Sequence, residues 1–179
     1  MNERYAIAAA LLVPLLLRPR RRLRGALPLL AVLAAGIASA AVSARQVRAF
    51  SREVDGFDRV LSRAQPARRL LSLVYERTSA TAKFVPYLHF GSYYRARGGG
   101  IAAFSFAELP QSPLRYRPEN APPPHPVHWE WEPWQFDPAI DGRYYDYVLV
   151  RGTVDPFARA GTRFRPIARE GAWALYAKE

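Results

Sequence analysis

Twenty consecutive residues without a charge, Gly25–Ala44 (GALPLLAVLAAGIASAAVSA), constrain this chain more than any other feature. A helix that crosses the hydrocarbon core of a bilayer needs ~20 mainly apolar residues, and this stretch supplies them. Just before it, Arg18–Arg24 (RPRRRLR) packs five Arg into seven residues. Earlier still, Tyr5–Leu17 (YAIAAALLVPLLL) is again uncharged over thirteen residues. Apolar, basic, apolar is the pattern of a membrane hairpin or anchor over residues 1–44. The shorter arm would span only by thinning the bilayer or drawing in Asn2–Arg4. Basic clusters beside membrane helices stay cytoplasmic, so the chain after Ala44 is expected outside the cytoplasm. A cleaved signal peptide is the rival reading, with Ala26–Ile37 as its apolar region and a cleavage site at Ala38-Ser39-Ala40 or Val42-Ser43-Ala44. An apolar Tyr5–Leu17 has no place in the basic start of such a signal. Both readings export the remainder of the chain.

The net charge of +11 is unevenly spread. Residues 1–48 hold eight Arg against Glu3, giving +7, and residues 49–179 hold sixteen Arg and two Lys against fourteen acidic residues, giving +4. The excess belongs mainly to the membrane segment. A nucleic-acid-binding domain would carry a basic stripe on its folded part, so no nucleic-acid partner is expected. The chain has no Cys, which excludes disulfides, thiolate metal sites and Cys nucleophiles.

In Arg45–Arg63, Val47, Phe50, Val54, Phe57 and Leu61 recur at helical spacing. This predicts a stalk helix in residues 45–66, stopped by Gln65-Pro66. An extracytoplasmic domain then occupies residues 67–179. Leu70–Tyr75 reads as a buried strand, Pro86–Tyr94 as a short helix before a flexible Arg95–Gly100, and Ile101–Phe106 as a strand. Pro110–Pro138, with nine Pro in twenty-nine residues, cannot form regular structure. Tyr145–Val150 (YDYVLV) is a strand, and Phe164–Ala168 with Ala172–Ala177 flank a Glu170-Gly171 turn as a C-terminal β-hairpin. The expected fold is α/β, with LLSLVY beside YDYVLV in a partly parallel sheet.

His125 and His128, with Glu130 and Glu132, carry donors that a divalent metal accepts. Their spacing is not H-E-x-x-H, and the Pro-rich setting opposes a shared helix face, so no metal and no cofactor is expected. Trp129, Trp131, Trp134 and Tyr145 lie in an aromatic-rich stretch near carboxylates, a composition that suits sugar rings or a membrane interface. The plain alternative is that these rings pin the long loop to the core. On an extended chain Trp129 and Trp131 would point the same way, and the loop is expected to pack over the sheet edge near Tyr144–Tyr147. Asp137, Asp141 and Asp146 fit turn or cap duty better than acid–base work. His89 has the chemistry of a general base but also fits a half-buried helix. Ser72, Ser79, Ser92 and Ser105 lack a nucleophile-elbow context. No catalytic residue is assigned.

The order of pieces resembles the C-terminal end of bacterial polytopic GT-C-type glycosyltransferases and their relatives. Three stretches carry the likeness: Glu3-Arg4-Tyr5 opening an apolar segment before the Arg-rich loop and second helix, Tyr144–Val150, and Phe164–Ile167 followed by Gly171–Tyr176. The resemblance implies a bacterial inner-membrane protein with a periplasmic C-terminal domain. Its implied partners are membrane lipid, a glycan or lipid-linked sugar, and a polytopic membrane protein. In that family the catalytic carboxylates sit in an extracytoplasmic loop after the first membrane helix, which this chain does not offer. The implied function is therefore a non-catalytic part or fragment of such an enzyme. The alternative is a membrane-anchored periplasmic binding or interaction domain.

Overall fold

The structure is a computed structural model that describes residues 26–124, 128–158 and 163–179. Tyr5–Leu17 and the Arg cluster, and with them the first arm of the expected hairpin, lie outside the described residues.

The first element, α1, is a continuous helix over Ala26–Glu53. Its segment Leu29–Glu53 is long and apolar enough to cross a membrane, and none of its apolar window is buried by the protein. At ~1.5 Å per residue, twenty-eight residues exceed a ~30 Å hydrocarbon core. The chain divides into two compact units at Ala49/Phe50. The second unit, Phe50–Glu179, holds the whole of the sheet.

The helix expected throughout Arg45–Arg63 is broken. After α1 the chain turns at Gly56, whose φ of 87° is left-handed, and resumes as the short α2, Phe57–Leu61. Glycine is required there, because an added Cβ would lie 2.9 Å from Glu170 Cγ. The apolar periodicity survives the break, and Phe57, Val60 and Leu61 are all buried. The residues read as the end of a stalk thus contribute to the core of the second unit.

Five strands form one mixed sheet in the order β2-β1-β3-β5-β4. They are β1 Arg69–Val74, β2 Ile101–Ala102, β3 Tyr147–Arg151, β4 Phe164–Glu170 and β5 Trp173–Lys178. β1 runs parallel to both β2 and β3, with Leu70 opposite Tyr147 and Val74 opposite Arg151. β5 is antiparallel to β3 and to β4, completing the C-terminal hairpin around Gly171, φ 56°. The α/β class, the partly parallel sheet and the hairpin agree with the sequence. The continuous apolar runs of β1 and β3 arise because both sheet faces are covered. Leu70, Val74, Tyr147, Leu149, Trp173 and Leu175 pack on one face against Phe57, Val60, Tyr87, Phe90 and Tyr94. Leu71, Leu73, Val148, Val150, Ala174 and Tyr176 pack on the other against Trp129, Phe136, Tyr145 and Phe157.

Three local expectations are corrected. Pro86–Gly91 forms turns, and the helix, α3, comes after them at Ser92–Gly98, through the stretch read as flexible. Tyr94 holds it in place: its hydroxyl donates to Gln65 O at 2.6 Å and accepts from Arg68 N–H at 2.8 Å. The strand expected over Ile101–Phe106 stops after two residues, since Phe104 takes a left-handed φ of 62° and turns the chain away. The Pro-rich loop, expected over the sheet edge, meets the edge strand β2 through Tyr116 and also covers a face of the sheet through Trp129 and Phe136. It contains 3-10 turns at Pro118–Asn120 and Pro133–Gln135 and one helical turn, α4, His128–Trp131.

Candidate ligand-binding cleft

A cleft of about 630 Å³ lies beyond the end of β2. Its walls are Phe104–Pro110, Arg115-Tyr116 and Ala121–Pro124, together with His89 and Glu130. Small-molecule sites are mostly apolar concavities of ~300–1,000 Å³ with a few placed polar groups, and this one fits that description.

The wall after β2 is fixed locally. A left-handed Phe104 costs roughly 1–3 kcal/mol, and such strain collects at sites that the surrounding structure holds. Ser105 caps the 3-10 turn Phe106–Glu108: its Oγ accepts from Ala107 N–H at 3.3 Å, and Glu108 accepts from Ser105 N–H at 3.1 Å. This is a capping box, two terminal amides satisfied reciprocally. From α3, Arg95 donates to Ser105 Oγ at 2.7 Å, and its guanidinium lies 5.4 Å from the Tyr116 ring centre. Tyr116 in turn donates to Ala102 O at 3.3 Å, tying the Pro-rich loop to β2. Arg115 donates to Pro110 O at 2.9 Å and closes the rim.

Two polar groups from opposite sheet layers meet in this cleft. His89 comes from the turns between Tyr87 and Phe90, which pack on one face. Glu130 adjoins Trp129, which packs on the other. His89 Nδ1 stands 3.2 Å from Glu130 Oε1, the carboxylate being 14% exposed and the imidazole 61%. A carboxylate beside one ring nitrogen orients an imidazole and leaves the other nitrogen to meet a ligand. Ser105 Oγ is occupied as an acceptor by its cap and by Arg95, so the cleft holds no activated hydroxyl there. The arrangement suits recognition of a molecule with an apolar body and a polar group.

The aromatic residues singled out from sequence are scattered instead. On the helical turn α4, Trp129 is 5% exposed and buried in the core, while Trp131 is 45% exposed, with the Arg77 guanidinium 5.6 Å from its ring centre. They do not point the same way, because the segment is helical rather than extended. Trp134 is largely exposed. Tyr145 is buried, its hydroxyl making no hydrogen bond among the described residues, and burial pushes its ionisation upward. None of Trp129, Trp131, Trp134 and Tyr145 lines the cleft. His125 and the side chain of His128 lie outside the described residues, among which no three metal-binding side chains cluster.

Asp146 heads β3 as a structural anchor. Its carboxylate accepts from Arg69 Nε at 3.0 Å, Nη2 at 2.7 Å and backbone N–H at 3.0 Å. Asp137 and Asp141 serve a turn, with Asp141 accepting from Asp137 N–H at 2.9 Å and Asp137 from Ala139 N–H at 2.8 Å. Ser79 accepts from Thr81 and Ala82 N–H and donates to Glu53 at 2.6 Å. Ser72 is buried beneath Gly91, where an added Cβ would lie 2.9 Å from Ser72 Cβ.

The sequence presents His89 and Glu130 separately and carries no sign of their pairing. The Ser105-x-x-Glu108 capping box is the one readable signal in the cleft wall. The fold and cleft define a class, a mixed α/β domain that follows an apolar helix and presents a small-molecule-sized cleft. The chain matches no family model, no curated protein and no solved structure with significance.

Proposed function

We propose that this chain is a membrane-anchored domain, held outside the cytoplasm, that works by binding a ligand in the cleft walled by His89 and Glu130. The observation that carries the reading is the cleft itself: apolar over most of its wall, with a carboxylate-oriented imidazole, and large enough for a small molecule or a few sugar units. Support for the anchor comes from the first part of α1, uncharged up to Ala44 and not buried by the protein, and from the basic run Arg18–Arg24 before it, which the positive-inside rule puts in the cytoplasm. A bacterial inner membrane and a periplasmic domain are the setting this implies.

Two measurements test the reading. Phosphatase and fluorescent-protein fusions at Glu179 report sidedness. An active phosphatase is expected, and a fluorescent, phosphatase-inactive fusion overturns the orientation. Screening glycans and lipid-linked sugars against the full chain in micelles tests the cleft. Binding weakened by His89→Ala and by Glu130→Gln is expected, and binding indifferent to both overturns the site.

The second reading makes the chain a relative of the non-catalytic C-terminal region of lipid-linked-sugar glycosyltransferases. It is favoured by one observation, the order of an apolar helix, a mixed sheet and a closing hairpin. On this reading the chain alone transfers no sugar and docks on a polytopic membrane partner. Turnover from polyprenyl-phosphate sugars that a single Asp or Glu change abolishes would overturn it.

A further inference from the structure

On another side of the second unit, the 3-10 turn Asp141–Arg143, the start of β4 and the end of β5 enclose a pocket of about 460 Å³. Pro138, Ala139, Gly142 and Phe164 form its apolar and backbone wall, and Arg143, Arg163 and Lys178 its charged wall. We infer that this pocket is an anion site for a phosphate group, recognised by Arg143, Arg163 and Lys178 together.

Arg143, Arg163 and Lys178 line the pocket, and among the described residues no carboxylate does. The acidic groups nearby are engaged or turned to neighbouring features. Asp146 is paired with Arg69, Asp141 accepts from Asp137 N–H, and Glu179, with Asp146, lines an adjoining hollow that shares Lys178. The side chains of Arg143 and Arg163 make no ion pair among the described residues. Like charges do not gather without a compensating anion unless something holds them, and here the fold does. β5 carries Lys178 to the turn, where its ammonium donates to Arg143 O, and Glu179 N–H donates to Arg163 O at 2.8 Å. Gly142 lets the turn approach β4 closely, since an added Cβ would lie 2.6 Å from Phe164 Cε2. Burial, then the charge of Arg69 and to a lesser degree that of Arg163, pushes the Lys178 ammonium below its ordinary range against the opposing pull of Asp146. Guanidinium groups match phosphate oxygens in pairs, and a lysine adds a third point of charge. The phosphate can be free in solution or belong to a lipid headgroup.

The test uses the full chain in uncharged maltoside micelles, monitored by amide chemical shifts during titration with inorganic phosphate and pyrophosphate at constant ionic strength. Saturable shifts at Gly142, Arg143 and Lys178 are expected, with chloride producing none. Arg143→Gln combined with Arg163→Gln lowers the affinity at least about tenfold, as loss of charge-assisted hydrogen bonds requires. Arg117→Gln, at an exposed site elsewhere, leaves it unchanged. Doping the micelles with phosphatidic acid separates the sources. Competition with free phosphate assigns a lipid headgroup, and no competition assigns a soluble phosphate. Shifts that do not saturate, or an equal loss in Arg117→Gln, overturn the site. The melting temperature of each variant without phosphate, expected to match the parent, separates lost binding from lost folding. The outcome is independent of the His89–Glu130 cleft.

Discussion

The guanidinium carbon of Arg151 lies 3.7 Å from the centre of the Tyr87 ring, on the inner side of β3 where its own strand is fully buried. Trp173 flanks the same group at 5.2 Å, and Tyr87 passes its hydroxyl on to Glu53 at 2.6 Å. Arg151 Nε and Nη1 have no hydrogen-bond partner among the described residues. Two ring faces flank the buried cation, a contact worth ~2 kcal/mol or more when desolvated, and Arg151 also hydrogen-bonds the Tyr87 side chain.

Packing between the rings and the polar contact of the guanidinium are separable at this position. Arg151→Met keeps a long, polarizable chain between Tyr87 and Trp173, whereas Arg151→Ala leaves a cavity. Urea midpoints are expected to fall clearly for Arg151→Ala and much less for Arg151→Met. Equal losses would show that polar contacts of the guanidinium hold the site.

Acid weakens the joint between β1 and β3. Burial favours the neutral form of Asp146, but the hydrogen bonds from the Arg69 side chain and backbone, together with its charge, outweigh burial and hold the carboxyl below its usual range. A carboxylate with a lowered folded-state pKa adds stability at pH values above its unfolded pKa, and that stability is lost as pH falls through the lowered folded value. The melting temperature of the parent should thus exceed that of Asp146→Asn near neutral pH, and the gap should shrink once pH falls below the ordinary aspartate range and close as the lowered carboxyl is protonated. A gap that stays constant with pH would mean the carboxylate acts only through shape. Glu170, lowered by its hydrogen bonds from Arg59, shares this direction.

The parts of the fold legible in the sequence are those where local pattern and burial agree. β1 and β3 declare themselves as apolar runs because both their faces are covered, and the hairpin declares itself through Glu170-Gly171. β2 does not. Ile101–Phe106 has a strand's composition, but a single left-handed residue, Phe104, ends it, and no local rule places a phenylalanine at positive φ. Trp129 and Trp131 are hard to place for a related reason. Proline density suggests an extended chain, whereas one helical turn between prolines buries one ring and exposes the other. The cleft is illegible because His89 and Glu130 meet only after the two layers close on the sheet. Periodicity speaks for one element at a time and carries no signal for such a meeting.

Gly56 should be among the least replaceable glycines. Its φ of 87° is a region that costs other residues roughly 1–2 kcal/mol, and a Cβ would also press on Glu170, whose carboxylate accepts from Arg59 at 2.6 and 2.7 Å. Gly56→Ala is expected to lose at least that much in chemical denaturation. Gly36→Ala, in α1 with nothing within 4 Å of the new methyl, should cost no stability and favour the helix by up to ~1 kcal/mol. Equal behaviour of the two variants would mean the break between α1 and α2 is soft.

The tryptophans separate packing from recognition. Trp129 is buried with its ring 5.4 Å from Phe136 in an edge-to-face contact, beside Leu71 and Leu73 of β1. Truncating a buried aromatic removes its transfer energy and leaves a cavity, so Trp129→Ala should cost ~3–5 kcal/mol. Trp131 and Trp134 stand largely in solvent, Trp131 beneath Arg77. Exposed substitutions away from caps and cores usually stay within ~0.5 kcal/mol, and Trp131→Ala and Trp134→Ala should do so. Limited proteolysis sharpens the comparison. The parent loop should resist cleavage around His128–Gln135, because Trp129 and Phe136 pin it to the sheet, and Trp129→Ala should open that segment while Trp131→Ala does not. Rapid cleavage of the parent in the same segment would show that the Pro-rich layer is not seated on the sheet, and the cleft wall carried by Glu130 would fall with it.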